Sequence, residues 1–394
     1  MSSSNGLDAL LSAARAGGRI ALDTEFMGEG RYRTLLCLVQ LAADVPGGAE
    51  PQIVLLDPLL DGFDPARLPE LLADPTVEVV VHAGRQDIAL LRRAFGSEVT
   101  SVFDTQVAAG FAGLGAQSSY ESLLRGALDL RVPKTASFTR WDRRPLTAEQ
   151  LAYARGDVLH LLDLAAALRE RLRALGRLDW AREECEALSH ASDERDIDAI
   201  VQRLPRSSAL PASARAVARA LVSWREEVAE RRDRPVQSVL GDAALVEVAR
   251  RRPRSIEQLE RIRGVGSLQG SRGRELLAAV VRGREAEPED APVRRAGFAG
   301  QPQDAPLVAL CESLLRSRAL DAGIAYELLA ARTDLQAIVA AARDGAEASD
   351  VRTLRGWRRE LVGDEVLRLL AGAISLSVTR DGDSDPRVAA KDAP

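Results

Sequence analysis

Two carboxylates, Asp23 and Glu25, stand two residues apart inside Arg19-Ile20-Ala21-Leu22-Asp23-Thr24-Glu25-Phe26, a stretch that otherwise reads as a buried strand. Side chains alternate across a strand, so Asp23 and Glu25 share one face while Leu22 and Phe26 take the other. Like charges on one half-buried face repel each other. Two readings follow: an edge strand whose polar face meets water, or a site where a cation neutralises the pair. Oxygen ligands at this spacing suit Mg2+ or Mn2+ better than zinc. The strand alone leaves both open.

The chain has 394 residues, too many for one ordinary core, so two or three domains are expected. Cys37, Cys185 and Cys311 are far apart and odd in number, which argues against a disulfide framework or a paired-cysteine zinc site and fits a reducing cytosol. The first residues lack a basic start followed by an apolar run. Nor does any stretch approach the roughly 18 apolar residues of a membrane span. The expectation is a soluble, cytoplasmic protein with no membrane partner. Net charge is −5, yet residues 205–284 hold 17 Arg against 9 Asp and Glu, a local excess of +8. Lys134 and Lys391 are the only lysines. The guanidinium fork suits bidentate phosphate contacts, and codon bias explains the same excess equally well.

Along the chain, short apolar runs alternate with helical patterns up to about residue 203, the signature of an α/β domain. Strands are expected over 20–26, 35–42, 53–56 and 77–81, the first three as an antiparallel meander, with helices at 64–73, 85–95, 104–111 and 119–125. Thr147-Ala148-Glu149-Gln150 is a capping box opening a helix expected to run to about Arg173, and Tyr153 and Asp157 lie one turn apart on its core face. Residues 204–284 read as an all-α module, with a second capping box at Ser255-Ile256-Glu257-Gln258. Residues 285–304 read as a linker, 305–378 as a second helical unit and 379–394 as a disordered tail.

Two further acids stand out. Asp87 falls in the first turn after the strand 77–81, near the strand ends where open α/β sheets place their sites, and Asp157 lies on the capped helix. Together with Asp23 and Glu25 they are four carboxylates able to surround two divalent ions, an arrangement suited to phosphodiester hydrolysis.

These residues carry a family resemblance. Asp23-Thr24-Glu25, the stretch from His82-Ala83-Gly84 to Asp87, and Tyr153 four residues before Asp157 resemble the three exonuclease motifs of the DEDD superfamily, in its tyrosine-bearing branch. Leu38-Val39-Gln40-Leu41, Phe103-Asp104-Thr105-Gln106 and Trp141 with Arg144-Pro145-Leu146 are similar to the ribonuclease D family in particular. Trp224-Arg225-Glu226, Pro235, Gly264-Val265-Gly266 and Leu276-Leu277 resemble that family's HRDC domain, and Gly356-Trp357-Arg358-Arg359-Glu360-Leu361 its second HRDC-like domain. The resemblance implies a ribonuclease H-like mixed sheet flanked by helices and followed by two all-α HRDC-type domains. It implies a metal-dependent 3′–5′ exoribonuclease that releases nucleoside 5′-monophosphates from the single-stranded 3′ end of tRNA precursors and small structured RNAs. Asp23, Glu25 and Asp157 would bind two Mg2+ or Mn2+ ions, Asp87 directly or through water, and Tyr153 would position the attacking water. No obligate protein partner is evident. A DNA exonuclease of the same superfamily and an inert RNA-binding relative are the alternatives. Ala152 occupies the place where histidine-bearing relatives carry their base, which sets that branch aside. Ser267-Leu268-Gln269-Gly270 lacks the lysine that HRDC domains often carry after this turn.

Other residues have plain structural readings. His82 and His160 fit packing and hydrogen-bonding roles, His190 is expected at the surface, and Asp104 reads as an N-cap. Gly264-Val265-Gly266 fits either phosphate contacts or a helix end and turn. Lys134, Arg140, Arg143 and Arg144, just before the capped helix, are candidate phosphate ligands, with a solvated loop as the alternative. Tyr32 and Phe138 are candidate stacking platforms for a terminal base.

Overall fold

The computed structural model describes residues 4–45, 47–48, 50–65, 67–132, 140–266, 268, 270–288, 301–348, 350–380 and 387–393. Lys134, Phe138 and most of the expected linker lie outside the described residues.

A helix that the sequence pattern did not announce comes first. In α1 (Ser4–Gly17), Leu7, Leu10, Leu11 and Ala14 recur at helical spacing and are buried. The sheet then forms from β1 (Arg19–Met27), β2 (Leu35–Ala43), β3 (Gln52–Leu56), β4 (Glu78–Val81) and β5 (Val102–Asp104), in the order β3-β2-β1-β4-β5. The meander of β1 to β3 is antiparallel, as the turn-rich stretches between them predict, while β4 and β5 run parallel to β1. The C-terminal ends of β1, β4 and β5 therefore open at one edge.

Helices cover both faces. Ile20, Leu22, Val39, Leu41, Val79 and Val81 pack under α1, α2 (Leu68–Leu72) and α3 (Arg85–Phe95). On the other face lie α4 (Thr105–Phe111), α5 (Tyr120–Leu128), α6 (Ala148–Leu159), α7 (Leu161–Ala174) and α8 (Leu178–Ser189). The single helix expected from Thr147 to Arg173 is thus two, broken at His160. At the break His160 has φ −111° and ψ 11°, off the helical values, and caps both helices.

After α9 (Ile197–Arg203) the first helical unit comprises α10 (Ala212–Arg231), α11 (Val236–Val239), α12 (Asp242–Arg251), α13 (Ile256–Glu260) and α14 (Arg272–Glu285) around a core of its own that includes Leu221, Leu245 and Leu276. Gly283 lets α14 press against α10, since a Cβ there would stand 2.5 Å from Val217 Cα. Ion pairs join this unit to the sheet domain: Arg31 to Asp233 at 2.7 Å, Arg33 to Glu230 at 3.5 Å, and Arg195, in the connecting segment, to Glu226.

The C-terminal unit holds α15 (Ala305–Ala322), α16 (Tyr326–Leu329), α17 (Arg332–Asp344), α18 (Gly356–Arg358), a π-helical turn and α19 (Asp364–Leu370). The end of the expected helical unit forms a strand, β6 (Ile374–Thr379), and pairs antiparallel with β7 (Arg387–Asp392) from the tail expected to be disordered. The hairpin is anchored on α15, where Ser317 Oγ donates to the Val388 carbonyl at 3.0 Å. This unit shares a larger core with the sheet domain than the first does: Leu314, Ile338 and Val362 belong to one buried cluster with Leu161 and Leu164, whereas the first unit's core takes in Val201 with Tyr32 packed against it. Trp357 stacks on Trp180 and meets Phe111 edge-on, while Arg358 pairs with Glu184 at 2.5 Å. The left-handed Gly356 beside them faces Glu183, whose Oε1 would lie 3.0 Å from an added Cβ.

Candidate metal centre and active site

Asp23 and Glu25 project from the central strand toward the face that α6 covers. A bulge between Glu25 and Phe26, where β2 contributes Cys37 as an extra residue, bends the strand as it leaves the site. The start of α6 is fixed by a reciprocal cap: Gln150 N–H donates to Thr147 Oγ1 at 3.2 Å and Thr147 N–H to Gln150 Oε1 at 3.0 Å. With the start fixed, Tyr153 and Asp157 fall one above the other. Asp23, Glu25 and Asp157 thereby offer carboxylate oxygens that all lie within 4.8 Å of one another.

Asp87 arrives by a different route. Ala83, in the left-handed region at φ 55°, and Gly84 turn the chain from β4 into α3. Their N–H groups donate to Asp104 at 3.0 and 2.9 Å. Asp104 also caps α4 through Gln106 N–H at 2.8 Å, so its expected N-cap role is real and extends to the turn that delivers Asp87. Gly84 is needed for contact, because a Cβ there would sit 2.5 Å from Val81 Cβ. Asp87 itself accepts a hydrogen bond from the Thr24 hydroxyl. It stands outside the converging trio, so the four expected ligands are arranged as three together and one tethered beside them.

The electrostatics describe a site short of positive charge. Burial, then Asp87, Asp157 and Glu25, hold the Asp23 carboxyl well above the usual range. Burial, then Asp157 and Asp87, push Glu25 up to about 8. Burial, then Glu121, raises Asp157 to about 7, and burial raises Asp87 to about 6 against the opposing Thr24 hydrogen bond. Tyr153 is raised by burial and by Asp157, Glu25 and Asp23, so its phenol keeps its proton at neutral pH. All-oxygen donors, crowded and deprived of water, fit hard divalent cations.

Several side chains take roles other than those expected. Arg144 does not offer itself to phosphate. Its five N–H donors go to Asp57 Oδ2 and Oδ1, both at 2.5 Å, and to the carbonyls of Cys37, Trp141 and Arg143 at 2.7, 2.7 and 2.8 Å. It latches the segment before α6 onto the sheet. Arg140 pairs with Asp142 at 2.9 Å, and Arg143 is exposed. Tyr32 belongs to the junction with α10: its N–H donates to Asp233 at 3.2 Å and its ring lies between the Arg33 and Arg195 guanidinium groups. At Gly264-Val265-Gly266 the Val265 carbonyl accepts from Arg272 at 3.1 Å, in keeping with a turn. His82 Nδ1 lies 3.0 Å from Thr105 Oγ1 and burial lowers its pKa, as suits a structural residue; His190 is exposed at the end of α8. Tyr120 carried no signal in the sequence. Its phenol is raised by burial and by Asp157 and Asp23, and its ring centroid lies 5.7 Å from that of His82.

A carboxylate trio at the C-terminal edge of a mixed sheet, with a tyrosine one turn before the last acid, is the arrangement expected of the DEDD class of nucleases. Comparison with known proteins agrees: the 3′–5′ exonuclease family profile matches residues 1–173 and the HRDC domain profile residues 214–280. The chain is 37% identical to a ribonuclease D of Gluconacetobacter diazotrophicus over 94% of its own length and 92% of the relative's. It is 36% identical to one of Granulibacter bethesdensis, with 95% and 93% covered. Its fold matches the crystal structure of Escherichia coli RNase D, described as an exoribonuclease involved in structured RNA processing, with a TM-score of 0.77 at 28% identity, covering 94% of this chain and 98% of that one. The chain belongs to the ribonuclease D family and is a 3′–5′ exoribonuclease built of an exonuclease domain, an HRDC domain and a helical C-terminal region.

Proposed function

We propose that this chain trims RNA hydrolytically from a single-stranded 3′ end, releasing nucleoside 5′-monophosphates, with two divalent cations, Mg2+ or Mn2+, held by Asp23, Glu25 and Asp157. Asp87 assists directly or through water. The convergence of three half-buried carboxylates carries this reading, because the cluster is costly unless positive charge arrives. Such cations, when bound, lower the pKa of the attacking water and neutralise the leaving 3′ oxygen. The residues do the rest. Tyr153, kept protonated, orients the water through its hydroxyl, and Thr24 fixes the carboxylate of Asp87.

The substrates proposed are tRNA precursors and other small structured RNAs, in the cytoplasm, without a membrane or an obligate protein partner. The described helices contain none long and apolar enough to cross a membrane. The domain scheme proposed is an exonuclease domain at 1–203, an HRDC domain at 204–284, a linker at 285–304 and a second HRDC-like domain at 305–378. Support for the last comes from a repeated order of helices, long, then four residues, then medium, in α10-α11-α12 and α15-α16-α17.

The test is degradation of matched RNA and DNA oligonucleotides in Mg2+ or Mn2+. Shortening of RNA from the 3′ end with release of 5′-monophosphates is expected, and its loss in Asp23→Asn and Asp157→Asn with RNA binding retained. Equal or faster loss of DNA, or undiminished cleavage by both variants, would overturn the proposal.

A further inference from the structure

The site leaves the buried amide of Gln40 unexplained. Gln40 lies on β2 directly across the antiparallel ladder from Asp23. Opposed residues in such a pair project from the same face, with Cβ atoms roughly 4.5–5.5 Å apart. The Gln40 side chain is fully buried, yet neither its Oε1 nor its Nε2 has a hydrogen-bond partner among the described residues. On the other flank the ladder sets it beside Leu55, and Leu55 packs with Leu38 and the α6 residue Ala154 in an apolar cluster. Along the ladder, the polar neighbour is Asp23. An unsatisfied buried amide costs about 1–3 kcal/mol, so packing alone favours an apolar residue of similar volume here.

Resting on the reading that the acidic cluster holds divalent cations, we propose that Gln40 is a positioning residue for Asp23: its Nε2 amide donates to the Asp23 carboxylate and holds it in the orientation that grips a cation. Gln40 touches neither RNA nor the reacting atoms. An ionised carboxylate accepts hydrogen bonds and donates none, so the amide N–H would add a second donor to the Thr24 backbone N–H from which Asp23 already accepts. Loss of such an outer partner typically weakens metal affinity 10–100-fold. The amide is therefore a group that the metal-free fold carries at a cost and the metal-loaded site uses.

The experiment compares the full-length parent with Gln40→Met, which keeps the volume and removes the amide. Mn2+ binding is measured by calorimetry, and melting in EDTA and in Mn2+. Gln40→Met is expected to melt in EDTA at or above the parent's temperature, to bind Mn2+ 10–100-fold more weakly, and to lose kcat on RNA with KM nearly unchanged. A purely structural amide predicts the reverse, a lower melting temperature in EDTA with Mn2+ affinity intact, and that result overturns the proposal. If Gln40→Met does not fold, Gln40→Asn, whose amide is withdrawn by one methylene, is read by the same measurements, and unchanged Mn2+ affinity in it is equally decisive. Absence of Mn2+ binding by the parent would sink the metal reading itself, a distinct failure.

Discussion

Trp357 stacks on Trp180 with ring centroids 5.0 Å apart and planes 15° from parallel, so a residue near the C-terminus is packed into the wall of the exonuclease domain. The Trp357 ring also meets Phe111 at 5.1 Å, in the core that the two parts share. Trp357→Ala is expected to remove about 3–5 kcal/mol of stability, as loss of a large buried aromatic does. Urea denaturation followed by circular dichroism measures this. A loss below about 1 kcal/mol would mean that the C-terminal region is carried along rather than structurally required.

Metal-free stability should fall with rising pH. Asp23, Glu25, Asp87 and Asp157 all bind protons more tightly in the folded chain than in the unfolded one. Their contribution is therefore fully present below the unfolded carboxylate values near 4 and is lost as pH rises through about 6, 7 and 8. In EDTA the melting temperature should decline across that window. Asp23→Asn, which removes one of the repelling charges, should flatten the decline and melt higher than the parent near pH 8. Saturating Mn2+ should reverse the slope, because cations compete with protons for the same oxygens. A parent melting temperature in EDTA that is flat from pH 5 to 8 would contradict the account.

Arg144 and Arg143 are adjacent and should fail differently. Arg144→Ala leaves Asp57, 7% exposed, without the guanidinium it accepts two hydrogen bonds from, and a stability loss of about 3–5 kcal/mol is expected. Arg143→Ala, at an exposed position, should leave stability within about 0.5 kcal/mol and raise the KM for RNA. Calorimetry with steady-state kinetics on both variants separates the roles; a stable Arg144→Ala with weakened RNA binding would reverse them.

Arg261 and Arg263 are exposed at the turn after α13. If the HRDC domain helps to neutralise the RNA backbone, replacing both by Ala should lower the slope of log affinity against log salt by about one for each phosphate no longer neutralised. Fluorescence anisotropy with a single-stranded RNA at several salt concentrations provides the reading. An unchanged slope would place the RNA path elsewhere.

Much of this arrangement is legible from short-range pattern. The strand around Asp23 and Glu25, the capped helix carrying Tyr153 and Asp157, and the helix that starts before Asp87 all follow from alternation and capping chemistry. The repulsion between Asp23 and Glu25 leaves a wet strand face and a cation site equally open until Asp87, Tyr153 and Asp157 are read beside them. What escaped depends on tertiary neighbours. The break at His160, where the backbone leaves helical values, carries no mark in the apolar spacing or the capping residues. Arg144 looked available because its acceptors lie far away in sequence, on Asp57 and Cys37. The polar sequence after residue 380 suggested disorder, while its pairing partner, β6, lies across the hairpin. Gln40 was visible only as part of a motif, since an unsatisfied amide is a property of surroundings.

The two regions that follow the nuclease are fastened with different shares of apolar packing and exposed ion pairing. The C-terminal region is held by a common apolar core, which added salt leaves intact, whereas exposed and half-exposed ion pairs such as Arg31 with Asp233 and Arg33 with Glu230 contribute to the HRDC junction. Ionic strength is thus a selective lever. Raising it weakens the exposed pairs at the HRDC junction more than the apolar contacts of the C-terminal region, so small-angle scattering at low and high salt should register movement at the HRDC junction first.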